Sequence, residues 1–189
     1  MTDLIAVIGD THLPRGSRSL PEDCVRRLRA ADLILHTGDH SSIDAFEAPQ
    51  ALGPPVEAVY GNADEPELRE SLPKELIVEL GGVRLGMTHV PGPREGREER
   101  LRARFPGCDA VVYGHAHVPQ VDQVDGVWIL NPGSPTERRS SPTWTMLELR
   151  IANNEILPEL VHLSTDRSAP EAVSRASRSA AGPAGERSP

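Results

Sequence analysis

Residues 4–60 alternate short apolar runs with segments of helical pattern, and this alternation restricts the fold more than any other feature. Leu4–Ile8 is a continuous apolar run, the sign of a strand buried on both faces. Leu33–His36 and Val56–Tyr60 read as the next two strands. Between them, Ser19-Leu-Pro-Glu22 has capping-box spacing with proline in the first turn and predicts a helix to about Ala30. Ser42 predicts the cap of a second helix, running to about Leu52. Strands separated by helices imply parallel βαβ units.

The second half is richer in hairpins. Glu75–Leu80 and Val83–Thr88 flank Gly81-Gly82, Val118–Val124 and Val127–Leu130 flank Asp125-Gly126, and Thr143–Ile151 and Glu155–Leu163 flank Asn153-Asn154. All three central pairs favour tight two-residue turns. A highly charged helix, about Arg94–Arg104, precedes the strand Ala110–Tyr113. The whole predicts two sheets packed face to face with helices outside, and the loops leaving the strand ends converging on one rim. From about Ser164 the composition turns to Ser, Ala, Pro, Gly, Arg and Glu, too poor in apolar side chains to offset the entropy of ordering. The expected organisation is a single domain over residues 1–163 and a disordered tail over 164–189.

A chain of 189 residues can bury a sizeable core, but with 3% aromatics that core must be built from Leu, Val, Ile and Ala. The formal charge of −8 and pI near 5.4 argue against strong nucleic-acid binding through charge. Basic charge is almost wholly arginine, and Lys74 is the only lysine. Cys24 and Cys108 lack metal-binding or redox spacing and read as reduced, packed thiols. The opening MTDLIAVIGD is too short and too acidic for a signal peptide, and no stretch approaches the ~20 apolar residues of a membrane span, so a cytoplasmic protein is expected.

Metal-capable residues recur where the strands end. Asp10 and His12 follow the first strand, Asp39 and His40 the second, and Asn62 and Asp64 the third. His89 ends the strand after Gly81-Gly82, and His115 and His117 follow Ala110–Tyr113. Gly9, Gly38, Gly61 and Gly114 stand beside four of these clusters and permit sharp turns. Mixed imidazole and carboxylate donors suit Mn, Fe, Zn or Ni more than Mg or Ca. Taken singly each cluster has a plain alternative: a capping turn for Asp10-Thr-His12, a helix N-terminal pair for Asp39-His40, a turn residue for Asn62. His115 and His117, two apart, would point to one side of an extended segment, as ligands or simply as exposed residues. The conjunction of five clusters carries the weight. His36 reads as a packed histidine, His40 as either a substrate contact or a solvent-facing residue, and His162 as structural or surface.

The ordered set Asp10-Thr-His12, Gly38-Asp39, Gly61-Asn62-x-Asp64, His89 and Gly114-His115-x-His117 resembles the calcineurin-like metallophosphoesterases. Asn131-Pro-Gly-Ser134-Pro-Thr-Glu-Arg138 looks like the segment that closes the site in the small YfcE-type phosphodiesterases. The resemblance spans about residues 3–163 and implies a four-layer α/β/β/α sandwich of two packed mixed sheets. It implies two divalent transition-metal ions, manganese first, with Fe, Zn or Ni as alternatives. Asp10, His12, Asp39 and His117 would hold the first and Asn62, His89 and His115 the second, with Asp39 bridging. Asp64 would support the neighbouring loop. The implied activity is phosphodiester hydrolysis by metal-bound hydroxide attacking phosphorus in line, on a small, nucleotide-like diester, by a protein that forms homodimers in related cases.

One departure matters. Where many members carry a histidine after the asparagine, as general acid for the leaving group, and the YfcE-type group often a cysteine, this chain has Ala63. A proton donor there is worth about 10²–10⁴-fold. Diesters with good leaving groups are therefore the expected substrates, with His40 the candidate to supply a proton from another direction. The alternatives are a phosphomonoesterase, and a non-catalytic interaction scaffold like the retromer subunit of this fold. In the second case Arg94–Arg104 could face a partner; a solvated helix face is the plainer reading.

Overall fold

The computed structural model describes residues 3–14 and 18–164; the tail expected beyond Ser164 lies outside the described residues. Among the described residues ten strands and four helices follow one another, beginning with β1 (Asp3–Ile8), α1 (Glu22–Ala30), β2 (Leu33–His36), α2 (Ile43–Gln50), β3 (Val56–Ala58) and α3 (Pro66–Ser71). Then come β4 (Glu75–Leu80), β5 (Val83–Thr88), α4 (Arg97–Arg104), β6 (Ala110–Tyr113), β7 (Gln120–Val124), β8 (Val127–Asn131), β9 (Trp144–Ala152) and β10 (Glu155–Leu163). They form two five-stranded sheets, ordered β10-β9-β1-β2-β3 and β4-β5-β6-β8-β7.

Strand alternation explains why the sheets pack on each other and still need helices outside. Ile5 and Val7 of β1 and Leu33 and Leu35 of β2 face Val83, Leu85, Met87, Ala110 and Val112 of the second sheet. The intervening Ala6, Ile8 and Ile34 face outward and are covered by Cys24 and Leu28, one turn apart on α1. On the far side Val111 and Tyr113 of β6, with Ile129 of β8, meet Leu101 of α4 and Phe105 at its C-terminal cap. Strands buried on both faces must be apolar throughout, which is why β1 and β6 read as unbroken runs. The layers are thus α/β/β/α, as expected from the sequence.

All three tight turns are formed by residues with positive φ at both centres: Gly81 and Gly82, Asp125 and Gly126, Asn153 and Asn154. Ser42 caps α2, accepting the Ala45 N–H at 3.3 Å. The capping box expected at Ser19 does not close. Helix α1 starts at Glu22 with Pro21 at its N-cap and no side-chain bond there, and Glu22 and Asp23 supply the negative charge its first turn favours. Helix α3 was not anticipated, because it is six residues long and buries only Leu68. Among the described residues no helix is long and apolar enough to cross a membrane.

Parallel pairing places the site. β1, β2 and β3 run parallel, as do β5, β6 and β8 in the other sheet, so six strand ends open on one rim. Leu85, fully buried between the sheets, supports this arrangement. Leu85→Ala is expected to cost about 2–5 kcal/mol, measurable as a lowered urea midpoint at unchanged slope.

Candidate metal centre

The loops leaving those six strand ends are bonded to one another before any side chain is considered. Asp10 N–H donates to Gly38 O at 2.9 Å, His12 N–H to Asp39 O at 2.9 Å, and Gly114 N–H to His89 O at 3.1 Å. The two sheets are joined across the rim as well. Ser134 Oγ donates to Asp10 O at 2.8 Å and Thr136 Oγ1 to Thr11 O at 2.6 Å, while within the second sheet Asn131 Nδ2 donates to Gly114 O at 3.1 Å. The segment Asn131–Arg138 therefore closes the rim through its own hydroxyls and amide.

Close approach is possible because two glycines interlock. A Cβ on Gly38 (φ +95°) would lie 2.8 Å from Gly61 N, and a Cβ on Gly61 would lie 2.1 Å from Asp39 Oδ1. The candidate site residues themselves take the unusual conformations. Among the described residues ten non-glycine positions have positive φ, and five of them are Asp10, His12, Asp39, His115 and His117. Left-handed backbone is uncommon outside glycine, and it clusters where geometry is imposed for function. For His115 and His117 this corrects the extended segment expected from the sequence. Both are turn residues, and their rings part: His115 Nδ1 lies 2.7 Å from Asn62 Oδ1, while His117 Nε2 lies 3.2 Å from His12 Nε2.

Two buried donor groups result. Asp10, His12 and His117 form one; Asp10, Asp39 and His89 form the other, each with its donor atoms within 4.8 Å of one another. Asp39 Oδ2 faces both lobes, 3.5 Å from His12 Nε2 and 3.3 Å from His89 Nε2. Asp10, expected to serve one lobe, belongs to both groups. Asn62 Oδ1 stands 3.1 Å from His89 Nε2, and His115 lies exposed at the mouth, its ring edge-on to that of His89 at 5.3 Å between centroids.

The protonation pattern suits a cation. His89 Nδ1 donates to Thr37 O at 2.8 Å and His117 Nδ1 donates to Glu137 O, so the Nε2 atoms of both are turned inward. Burial pushes the Asp10 carboxyl up to about 7, with Asp39 adding repulsion against the pull of His89, and among the described residues its buried Oδ2 has no hydrogen-bond partner. Burial also acts to raise Asp39, but the His89 imidazole and the Ala63 N–H, 2.7 Å from Oδ1, hold it down at about 2. Burial works against a charge on His89, yet its contact with Asp39 and the field of Asp10 keep its value above the ordinary imidazole range. His117, driven by burial, falls to about 4. An orphaned carboxylate oxygen and facing imidazole nitrogens at 3.2 Å fit divalent transition metals, which supply the missing positive charge.

The remaining sequence candidates lie outside the donor groups. Asp64 holds the loops: Oδ1 accepts Ser41 N–H and Oδ2 accepts Gly61 N–H, both at 2.7 Å. His36 is buried, accepts Gly38 N–H at Nδ1 and so donates from Nε2 to Thr11 Oγ1 at 3.1 Å. His40 corrects an expectation. It is fully buried, stacked on His36 at 3.7 Å, with Nε2 on Val59 O at 3.3 Å, so it is not turned to a substrate or to solvent. His162 is exposed and bonded to Thr143 Oγ1. Sequence reasoning missed Arg69, whose Nε donates to Asp64 O at 2.9 Å and whose Nη2 donates to Asn62 O. Nothing in a six-residue helix signals that role.

Residues 4–154 match the model of the calcineurin-like phosphoesterase superfamily domain. The chain belongs to this superfamily. It is 34% identical over 160 residues to a probable metallophosphoesterase of Methanothermobacter thermautotrophicus, covering 84% of this chain and 91% of that one. The fold is similar to that of zinc-complexed Vps29 from Entamoeba histolytica, at 24% identity and a TM-score of 0.66 over 84% of this chain and 98% of that one. It is also similar to an archaeal phosphodiesterase, at 20% identity and a TM-score of 0.64 over 84% and 99%. Superfamily membership and a probable metallophosphoesterase relative support a phosphoesterase, and the two donor groups are its candidate metal ligands.

Gly61→Ala should drive a methyl group into Asp39 and displace the carboxylate that faces both lobes. Divalent-metal affinity at the candidate centre is expected to fall by roughly 10–100-fold with the fold retained, read by calorimetric titration beside circular dichroism.

Proposed function

We propose that the chain is a dinuclear metal-dependent phosphodiesterase, with residues 1–163 as its catalytic domain and manganese as the first metal to test. The observation that carries this reading is the pair of buried donor groups that share Asp10, with Asp39 Oδ2 facing both lobes. Asp10, His12, Asp39 and His117 would hold one ion and Asn62, His89 and His115 the other, with Asp39 common to both. Bound there, the ions would neutralise phosphoryl oxygens and activate water for in-line displacement at phosphorus.

The chain's own residues supply the order. Ala63 N–H fixes one oxygen of Asp39 so that the other is presented inward. Thr37 O and Glu137 O set the His89 and His117 tautomers. Asp64 and Arg69 together clamp the loop that carries Asn62.

What these residues do not supply is a proton for the departing oxygen. Ala63 has no exchangeable side-chain proton, and His40, the candidate substitute, is buried against Val59. Protonation matters most when the leaving group is a poor one, so aryl diesters are the preferred substrates and alkyl esters react slowly.

The test uses protein stripped of metal and restored with one metal at a time, assayed on bis(p-nitrophenyl) phosphate and on p-nitrophenyl phosphate. Metal-dependent hydrolysis, faster on the diester, is expected. Absence of turnover on both with every metal would sink the enzymatic reading and favour a binding role. Ala63→His should raise kcat on an alkyl leaving group by roughly tenfold or more while changing the aryl diester little; equal effects on both would count against an empty acid position.

A further inference from the structure

A cleft of about 140 Å³ opens beside the metal centre, between the end of β3 and the start of β4, with Tyr60, Asn62, Arg69, Lys74, His89 and Val90 among its walls. Asn62 and His89 are members of the proposed centre, so anything bound at that centre borders this cleft directly. The walls are held in place. Tyr60 N–H donates to Pro73 O at 3.1 Å, which ties the segment before β4 to the end of β3. Arg69 is committed to Asp64 O and Asn62 O, and Val90 O accepts from Arg104 at 3.0 Å.

Lys74 is different. Among the described residues its ammonium makes no hydrogen bond or ion pair, and its neighbour Glu75 is already bonded to Arg104 at 2.6 Å. It is the only lysine of a chain with formal charge −8. A polyanion approaching this protein is repelled by the whole and attracted at few places, so an unpaired cation beside the reacting centre discriminates. Tyr60 and Val90 add apolar surface along which an ester substituent can lie.

We infer that this cleft is the subsite for one ester substituent of the substrate, and that Lys74 reads a second negative charge, a phosphate or carboxylate, on that substituent. The inference rests on the phosphodiesterase reading and narrows it to diesters that carry an additional anionic group. Arg69, whose charge its two carbonyl bonds leave intact, would shape the cleft and add to its positive field, and Lys74 would supply the uncommitted cation that meets the anion.

The test compares two p-nitrophenyl phosphodiesters that differ only at the end of the other substituent, a carboxylate in one and the carboxamide in its partner. With manganese-loaded protein, kcat/KM for the carboxylate ester should exceed that for the carboxamide by roughly fivefold, through KM, the size of one partly exposed charge pair. Lys74→Gln should bring the two values together, and Lys74→Arg should restore the difference. Hydrolysis of both esters with equal KM would overturn the inference and leave the diesterase reading standing. If neither ester is hydrolysed, that reading fails, and a second measurement still decides the subsite. As the only lysine, Lys74 can be followed by amine acylation and mass spectrometry of its peptide. Protection by the carboxylate ester alone supports the subsite, and equal labelling with either ester overturns it.

Discussion

The structure turns on one carboxylate. Asp39 stands where the two sheets meet, one oxygen fixed by the Ala63 N–H and the other facing His12 and His89. For that carboxylate to be shared, the loops after β1, β2, β3 and β5 must arrive within a few ångströms of one another, and only parallel strands in two stacked sheets deliver them together. The rim bonds among Asp10, Gly38, His12 and Asp39 then hold what the topology assembles. Gathering carboxylates and imidazoles in so little space is costly without a cation, and the Asp10 carboxyl, pushed up to about 7 by burial, records that cost.

Much of this was legible in the sequence because its physical causes are local. A strand buried on both faces must be apolar throughout, and Leu4–Ile8 and Ala110–Tyr113 announced themselves that way. Paired residues suited to positive φ marked the three tight turns within a residue or so. The donor residues were visible because polar side chains directly after buried strands need a reason to be there. Their family resemblance agrees with the superfamily match over residues 4–154.

What was not legible depends on packing between distant segments. His40 follows Asp39 directly, yet packing against His36 and Val59 buries it while Asp39 faces His12 and His89. The rings of His115 and His117 part because both residues sit in a turn, where alternation by two has no force. Helix α3 buries one leucine and leaves no periodic trace, and so the clamp that Arg69 places on the Asn62 loop could not be foreseen. Ser19 shows the reverse case, a good capping pattern overruled by a helix that begins at Glu22.

The left-handed backbone at Asp10, His12, Asp39, His115 and His117 has a consequence for how such a chain would change under drift. Each of these positions holds a side chain where glycine would rest more easily, at about 1–2 kcal/mol of strain. Glycine at any of them would relax the backbone and remove a donor in the same step. Without the need for the proposed metal centre, that strain would favour loss of these side chains, starting with those in the most strained conformations. Fold and chemistry pull in opposite directions here, and all five positions still carry the chemical residue.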